Sequence, residues 1–599
     1  MKKRILAILL SLVLLLALAP AAALADGLYV SVNGVAFTEF GQTIKVGGGT
    51  ATLNYDYYGN TILELNNVSI SKFDQLQDDT GLVYKCGIVM LGAGDNDMIK
   101  LTGINTITAP GDKSDAIYEG IYIDNSIDIR SGTLNINGMD IGIETTGDYD
   151  DICTNELAVL NFYNCEQAIA TPAALVMAGD SSVNISGGGS LGVAAGSVGV
   201  TSGCNLNIEL YDNGMPQTAR YGVIAPGNVE ITGNASIKVG LKDVAALDEV
   251  VVNAILANGF VTVAPGAKLT AWVYAENCPQ VSAAAIIAST VSTSFRTSVI
   301  DSGASIVGLH TGAFAIICNE LNGSGAVSAL VKGAAAEDAA MSVGVSVNGL
   351  TGSVYAGTDA AAPVYGAIAL PCALGAGTGS VLTNPANGLW TPVTVDGTTQ
   401  YIVTDANGKP AGYVYINKDN NPFIDTGSLN TSYKDAIAWA VANGVTGGYT
   451  DCSFRPGNIC TRAQVVTFLW RANGSPAPKS STCSFTDVAK GAYYYDAVLW
   501  AVENGITGGY NETTFGSNDP ITRAQAVTFL WRSCGKTAPA GSADFPDLKD
   551  GAYYLDAVAW AAEKGITGGY ANGCFGPNDP CTRAQIVTFL HRTDALKTA

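Results

Sequence analysis

Histidine is almost missing from this 599-residue chain, which holds only His310 and His591. That excludes a His-rich zinc site and most His-dependent acid–base catalysis. Charge is scarce as well. Asp, Glu, Lys and Arg make up 14% of the residues, against about 25% in ordinary soluble domains. Cations are the scarcer sign, 31 Lys and Arg against 52 Asp and Glu, for a net charge of −21. No basic face is available, which argues against a nucleic-acid partner. Beyond the N-terminus no run is long and apolar enough to span a bilayer, so no transmembrane segment is expected in the mature chain. Glycine is abundant, at 70 residues, and apolar residues reach 48%. That is enough for packed cores rather than disorder, and the length predicts several domains.

The first residues set the compartment. Met1-Lys2-Lys3-Arg4 is a basic start, Ile5 to Ala19 is apolar, and Ala23-Leu24-Ala25 offers the small-x-small pattern of a cleavage site. Residues 1–25 therefore read as a signal peptide, with an exported mature chain from Asp26. An uncleaved anchor is the alternative, but the apolar run falls short of the ~20 residues a spanning helix needs. Charge then divides the rest. Residues 421–599 carry 14 basic and 15 acidic side chains, whereas residues 26–420 carry 14 basic and 37 acidic, a net −23. The break near residue 420 predicts a domain boundary.

An exported chain can form disulfides. Of 13 cysteines, seven precede residue 420 and six follow it. Cys452 with Cys460, and Cys574 with Cys581, bracket equivalent loops and are candidate disulfides. Cys483 and Cys534 are a further candidate pair. The N-terminal seven read as buried thiols of a β core.

The last third repeats itself three times. Phe423-Ile424-Asp425 matches Phe485-Thr486-Asp487 and Phe545-Pro546-Asp547. Trp439 matches Trp500 and Trp560. Gly447-Gly448-Tyr449 matches Gly508-Gly509-Tyr510 and Gly568-Gly569-Tyr570, and Thr461-Arg462-Ala463-Gln464 matches Thr522-Arg523-Ala524-Gln525 and Thr582-Arg583-Ala584-Gln585. Several blocks at one offset identify a repeat architecture. Each unit reads as helix, loop, helix. Ala436, Ile437, Ala440 and Val441 share a helical face, and Gly444 is placed as a helix stop. Trp439 falls at the edge of that stripe, where it either lines a groove or packs in the core. The Gly-Gly-Tyr loop permits close backbone approach. Thr461 and Gln464 form a capping box. Arg462 then falls in the first helical turn, where a cation opposes the helix dipole, as do Arg523 and Arg583. Two explanations stand: an ion pair with Asp425, Asp487 or Asp547 or packing of the stem, or an anionic ligand met at a helix N-terminus.

These units, residues 421–478, 479–540 and 541–599, resemble S-layer homology (SLH) repeats. The resemblance rests on F-x-D, the aromatic helix, G-[IV]-T-G-G-Y and T-R-A-Q. It implies an all-α pseudo-trimer that anchors exported proteins non-covalently to secondary cell-wall polysaccharide, often pyruvylated. It also implies that Asp425, Asp487 and Asp547, Trp439, Trp500 and Trp560, the Gly447-Gly448, Gly508-Gly509 and Gly568-Gly569 pairs, and Arg462, Arg523 and Arg583 line the ligand grooves. Gln464, Gln525 and Gln585 stand where the family usually has Glu. The first repeat departs further: Thr426 stands where Val488 and Leu548 do, and it lacks a paired Tyr like Tyr494-Tyr495.

Upstream, a short motif returns: Leu134-Asn135-Ile136, Leu160-Asn161-Phe162, Val183-Asn184-Ile185 and Leu206-Asn207-Ile208, in steps of 26, 23 and 23 residues. Ile104-Asn105-Thr106-Ile107 and Ile237-Lys238-Val239 extend the series. The apolar flanks point inward and Asn outward. Glycine turns and the period predict a parallel β-helix, or β-solenoid, over residues 26–275, with an antiparallel sandwich as the rival. The region is also similar to right-handed β-helix and carbohydrate-binding surface modules. Residues 276–389, rich in Ala and Gly, either continue the solenoid or form a separate β region. Residues 390–420 read as a β connector, with hairpin signals at Asp396-Gly397 and Asn407-Gly408. Acidic clusters at Asp95 with Asp97, and at Asp148 with Asp150 and Asp151, read as solvated turns with at most weak calcium affinity, and Arg130 is the main cation nearby. No catalytic pair, cofactor or dedicated metal site is assigned.

The expectation is thus a multidomain surface protein, a parallel β-helix followed by three SLH repeats, held on the bacterial cell wall and presenting the solenoid to a glycan or surface partner. A wall-anchored polysaccharide lyase or hydrolase and an S-layer structural subunit are the alternatives.

Overall fold

The computed structural model describes residues 28–78, 81–92, 97–113, 116–211, 219–242, 250–276, 278, 281–293, 299–307, 312–323, 326–334, 338–348, 354–361, 363, 366–370, 381–385, 387–395, 398–417, 423–449 and 453–598. The leader, Asp95, His310, Asp396-Gly397 and Cys452 lie outside the described residues. The chain divides into two compact units, residues 1–420 and 421–599.

The first unit is built of strands. Among the described residues they join one 24-stranded and one 13-stranded sheet. In the smaller sheet, Ile104–Thr108, Thr133–Asn137, Val159–Tyr163, Ser182–Gly187 and Asn205–Leu210 each pair in parallel with the next. The recurring motif sets the register: Leu134 opposes Leu160, Asn135 opposes Asn161, and Ile136 opposes Phe162. The leucines and isoleucines are buried in one continuous core. The asparagines stack outside it. Asn161 Nδ2 donates to Asn135 Oδ1, Asn184 Nδ2 to Asn161 Oδ1, and Asn207 Nδ2 to Asn184 Oδ1, each at 2.9 Å. Alternation along each strand and identity across strands therefore fix two different surfaces at once.

Parallel pairing excludes the antiparallel sandwich. It continues through Asn234–Lys242, Lys268–Glu276, Val299–Val307, Ala326–Lys332 and Val354–Thr358, so the Ala/Gly-rich stretch extends the same sheet. Antiparallel pairs occur among the first strands of the larger sheet and the last strands of the smaller one. Tyr29–Val32 and Asp74–Gln77 pair with Val83–Leu91, and Tyr413–Asn417 pairs with Val354–Thr358. The connector is a hairpin of Leu389–Val395 and Thr398–Thr404. Asn407-Gly408 follows as a tight turn, with Gly408 at φ 76°.

The second unit holds six helices among the described residues: α1 (Thr431–Ala442), α2 (Arg462–Ala472), α3 (Tyr495–Glu503), α4 (Arg523–Ser533), α5 (Leu555–Glu563) and α6 (Arg583–Thr598). Helices α1, α3 and α5 open the repeats, and α2, α4 and α6 close them. Both halves of the expected capping box form at Thr461 and Gln464, and again at Thr522 and Gln525. Thr582 and Gln585 exchange the same two bonds. Gln thus serves the cap as Glu would. Gly444 follows α1 at φ 65°, as a helix stop requires. Among the described residues no helix is long and apolar enough to cross a membrane.

Candidate functional site

The segment before each closing helix joins the repeats into a ring. Ile521 N–H donates to the Cys460 carbonyl at 3.0 Å, Cys581 N–H to Ile521 at 3.0 Å, and Cys460 N–H to Cys581 at 2.9 Å. Three equivalent positions thus close a cycle of backbone hydrogen bonds. The neighbouring arginines repeat it: Arg462 N–H donates to Asp519 O, Arg523 N–H to Asp579 O, and Arg583 N–H to Asn458 O.

The arginine side chains run into the next repeat. Arg462 Nε donates to the Phe515 carbonyl at 3.0 Å, Arg523 Nε to Phe575 at 2.8 Å, and Arg583 Nε to Phe454 at 2.9 Å. Each guanidinium also lies over the tyrosine of the partner repeat's Gly-Gly-Tyr loop, 4.4 Å from the Tyr510 ring, 4.5 Å from Tyr570 and 4.8 Å from Tyr449. Arg523 Nη2 reaches Thr567 Oγ1 at 3.2 Å, and Arg583 Nη2 reaches Thr446 Oγ1 at 3.4 Å. The three arginines are only 2–4% exposed. Burial lowers the Arg462 pKa, opposed by Tyr510 and Asp519. The cation that opposes its own helix dipole is therefore held by a carbonyl and aromatic faces of the next repeat. Of the expected ion pair or stem packing, the short contacts are the packing one: none of them is to an F-x-D carboxylate.

The F-x-D carboxylates clamp loops. Asp425 accepts from Phe454 N at 2.8 Å and Arg455 N at 2.7 Å. Asp487 accepts from Phe515, Gly516 and Ser517 N–H groups, and Asp547 from Phe575 and Gly576. Burial pushes the Asp487 and Asp547 carboxyls up, but these amide donors outweigh it and hold both below the ordinary value. The second glycine of each loop is required sterically. Gly448, Gly509 and Gly569 have φ of 75°, 77° and 78°, and a Cβ there would meet the F-x-D phenyl ring at 2.1, 2.6 and 2.7 Å. Gly447, Gly508 and Gly568 face open space.

The tryptophans depart from the groove reading. Trp500 and Trp560 are core residues. Trp439 is half-buried, stacks on His591 at 5.4 Å, and donates to Asp594 Oδ2 at 3.2 Å. Exposed aromatics come instead from seven residues earlier, Tyr493 and Tyr553, which a search for conserved-looking blocks passes over because repeat 1 has Ser432 there. Tyr553 lies within electrostatic reach of Arg462, Arg532 and Tyr510, and Tyr493 of Arg471 and Tyr449. Ser432 instead accepts from Arg592 Nη2 at 3.2 Å.

The expected Cys574–Cys581 disulfide is not formed in this structure. Cys581 is buried at the ring, Cys574 sits on the loop, and both are free thiols, as is Cys460. Burial pushes the Cys460 and Cys581 thiols up to about 12. In the strand-rich unit the acidic turns cap backbone. Asp97 accepts from Thr61 N, Asp150 from Gly147 N and Asp151 from Ala174 N. Arg130 pairs with Asp128 at 2.7 Å and Glu156 at 3.2 Å. Sequence reasoning missed a buried carboxyl pair, Glu119 and Glu144, beside Cys86. Burial raises both pKa values, Glu144 to about 7.

Three helix pairs locked head to tail by one recurring arginine define a repeat module, and its sequence matches a known one. The S-layer homology domain model fits residues 427–466, 484–527 and 544–587. The chain carries three SLH domains, which mark a protein anchored at the cell-wall surface. It is 29% identical over 175 residues to the surface-layer 125 kDa protein of Lysinibacillus sphaericus, covering 28% of this chain and 14% of that protein. It is 31% identical over 140 residues to a cell surface protein of Thermoanaerobacter kivui, covering 22% and 18%. It is 28% identical over 153 residues to the cellulosome-anchoring protein of Acetivibrio thermocellus, covering 24% and 34%. The chain thus spans between 14% and 34% of the length of these relatives.

Proposed function

We propose that the SLH unit holds an exported protein non-covalently on secondary cell-wall polysaccharide, and that residues 26–420 form a β-solenoid displayed for glycan binding. The carrying observation is the three-fold recurrence of the Arg–Tyr seam between repeats. Each seam joins a buried guanidinium, a Gly-Gly-Tyr tyrosine and, in two cases, an exposed tyrosine. Aromatic faces and nearby cations suit a sugar bearing an acidic group such as a pyruvyl ketal. In this reading the wall polymer contacts Tyr493, Tyr510 and Tyr553 directly. Asp425, Asp487, Asp547, the paired glycines and the three arginines shape the seam from beneath, and the tryptophans support the fold. The mature chain should sediment with purified walls and remain in the supernatant once the polysaccharide has been chemically extracted. Equal binding to stripped peptidoglycan would overturn the reading.

A further inference from the structure

The outer face of the smaller sheet carries an aromatic pair that the core does not need. Trp272 and Tyr274 alternate with buried Ala271, Val273 and Ala275 on Lys268–Glu276, so both side chains leave the core. Their rings lie 21° from parallel with centroids 6.1 Å apart. The register explains how they lie. Trp272 is opposite Gly303 on one neighbouring strand, and Tyr274 is opposite Gly240 on the other. A Cβ at Gly303 would stand 2.6 Å from Trp272 Cη2 and Cζ3. The indole therefore occupies the space a side chain would fill and rests across the bare backbone. A Cβ at Gly240 would meet nothing closer than 3.6 Å, which leaves open floor beside Tyr274. Gly240 and Gly303 are not at positive φ, so turn geometry does not demand glycine at either position.

Polar groups of both signs border the rings. Lys332 Nζ lies 5.7 Å from the Trp272 centroid, and the Asp301 and Glu209 carboxylates act on the Tyr274 hydroxyl. Mixed donors and acceptors around a flat aromatic surface match a ring with one C–H face and equatorial hydroxyls. A protein partner would want a wider apolar patch. The net charge of −23 over residues 26–420 repels polyanions.

We propose that Trp272 and Tyr274 form a stacking platform for a neutral polysaccharide, with Asp301 and Lys332 bonding its hydroxyls. The proposal rests on the glycan-binding reading of the strand-rich unit and names its site. It is tested on the full mature chain by affinity electrophoresis in native gels containing xylan, mixed-linkage β-glucan or soluble starch. At least one polymer should retard the wild type. Trp272→Ala should weaken that retardation at least tenfold, Gly303→Val should weaken it by tilting the indole, and Trp272→Phe should retain most of it. Tyr57→Ala with Tyr58→Ala, on a distant exposed hairpin, should leave it unchanged. Thermal unfolding of each variant guards against misfolding, and Gly303→Val carries the test should the Ala variant not fold. Wild-type retardation that survives Trp272→Ala, or that is lost equally in the tyrosine double variant, overturns the platform while glycan binding stands. Absence of wild-type retardation by any of the three polymers overturns both.

Discussion

Arg523 carries its charge into the protein rather than out of it. At the first turn of α4 that charge meets the positive end of the helix dipole, a cost of several tenths of a kcal/mol. The compensation comes from the next repeat, through the Phe575 carbonyl, Thr567 Oγ1 and the Tyr570 ring. Arg523→Ala leaves that carbonyl without its side-chain donor and opens a cavity. Unfolding of the C-terminal unit in urea should show a loss of about 2–4 kcal/mol. Arg523→Lys should recover little, because one ammonium cannot bond the carbonyl, reach Thr567 and stack on tyrosine together. A variant as stable as the wild type would mean that the ring is held elsewhere. The sequence made the arginine conspicuous, since T-R-A-Q recurs with a cation in an unfavourable place. It could not reveal the partner, because a backbone carbonyl leaves no residue signature. Trp500 and Trp560 stayed open between groove and core, because a helical position at the stripe edge reads alike for both; the structure buries them.

A row of identical side chains on successive strands is the element-scale counterpart. Asn135, Asn161, Asn184 and Asn207 were legible because in-register parallel pairing puts equal positions in contact, so the motif must recur at the strand spacing. Each interior member makes two amide bonds and each end member one. Asn161→Ala should therefore destabilise the strand-rich unit by about 1–2 kcal/mol, and Asn207→Ala by about half as much. Equal losses would show that strand propensity, not the ladder, sets the cost. Residues 276–389 were harder to read. Their small side chains keep the pairing but repeat no motif, so nothing in the spelling separates continuation from a new module. Glu119 and Glu144 were invisible for a related reason. They stand 25 positions apart on adjacent strands whose register sets Glu119 against Ile141 and Glu144 against Tyr122, so only side-chain packing brings them together.

At the scale of the whole molecule the two units carry opposite responses to pH. The Asp487 and Asp547 carboxyls are held below their ordinary value by backbone amides. A depressed folded-state pKa gives stability that is present above the unfolded value, near 3.9, and lost as pH falls through the folded value. The SLH unit should therefore weaken only in acid, below about pH 4. Burial raises both carboxyls of the buried pair; Glu144 pushes Glu119 up further, whereas its hydrogen bond with Glu119 partly offsets the rise at Glu144, which stands at about 7. Cys86 and Asp140 act on Glu119, and both carboxyls act on Cys86 and on the Tyr84 and Tyr122 hydroxyls. Between the unfolded carboxyl value, about 4.3, and pH 7 the folded state binds more protons than the unfolded one, so stability falls as pH rises. Calorimetry of the mature chain should resolve two transitions. One should drop by several degrees between pH 4.5 and 7.5, and the other should hold across that range and drop below pH 4. Glu119→Gln combined with Glu144→Gln removes both titrating groups while keeping their shape, and should flatten the first profile and leave the second untouched. If both transitions instead move together, the carboxyl pair does not govern the strand-rich unit.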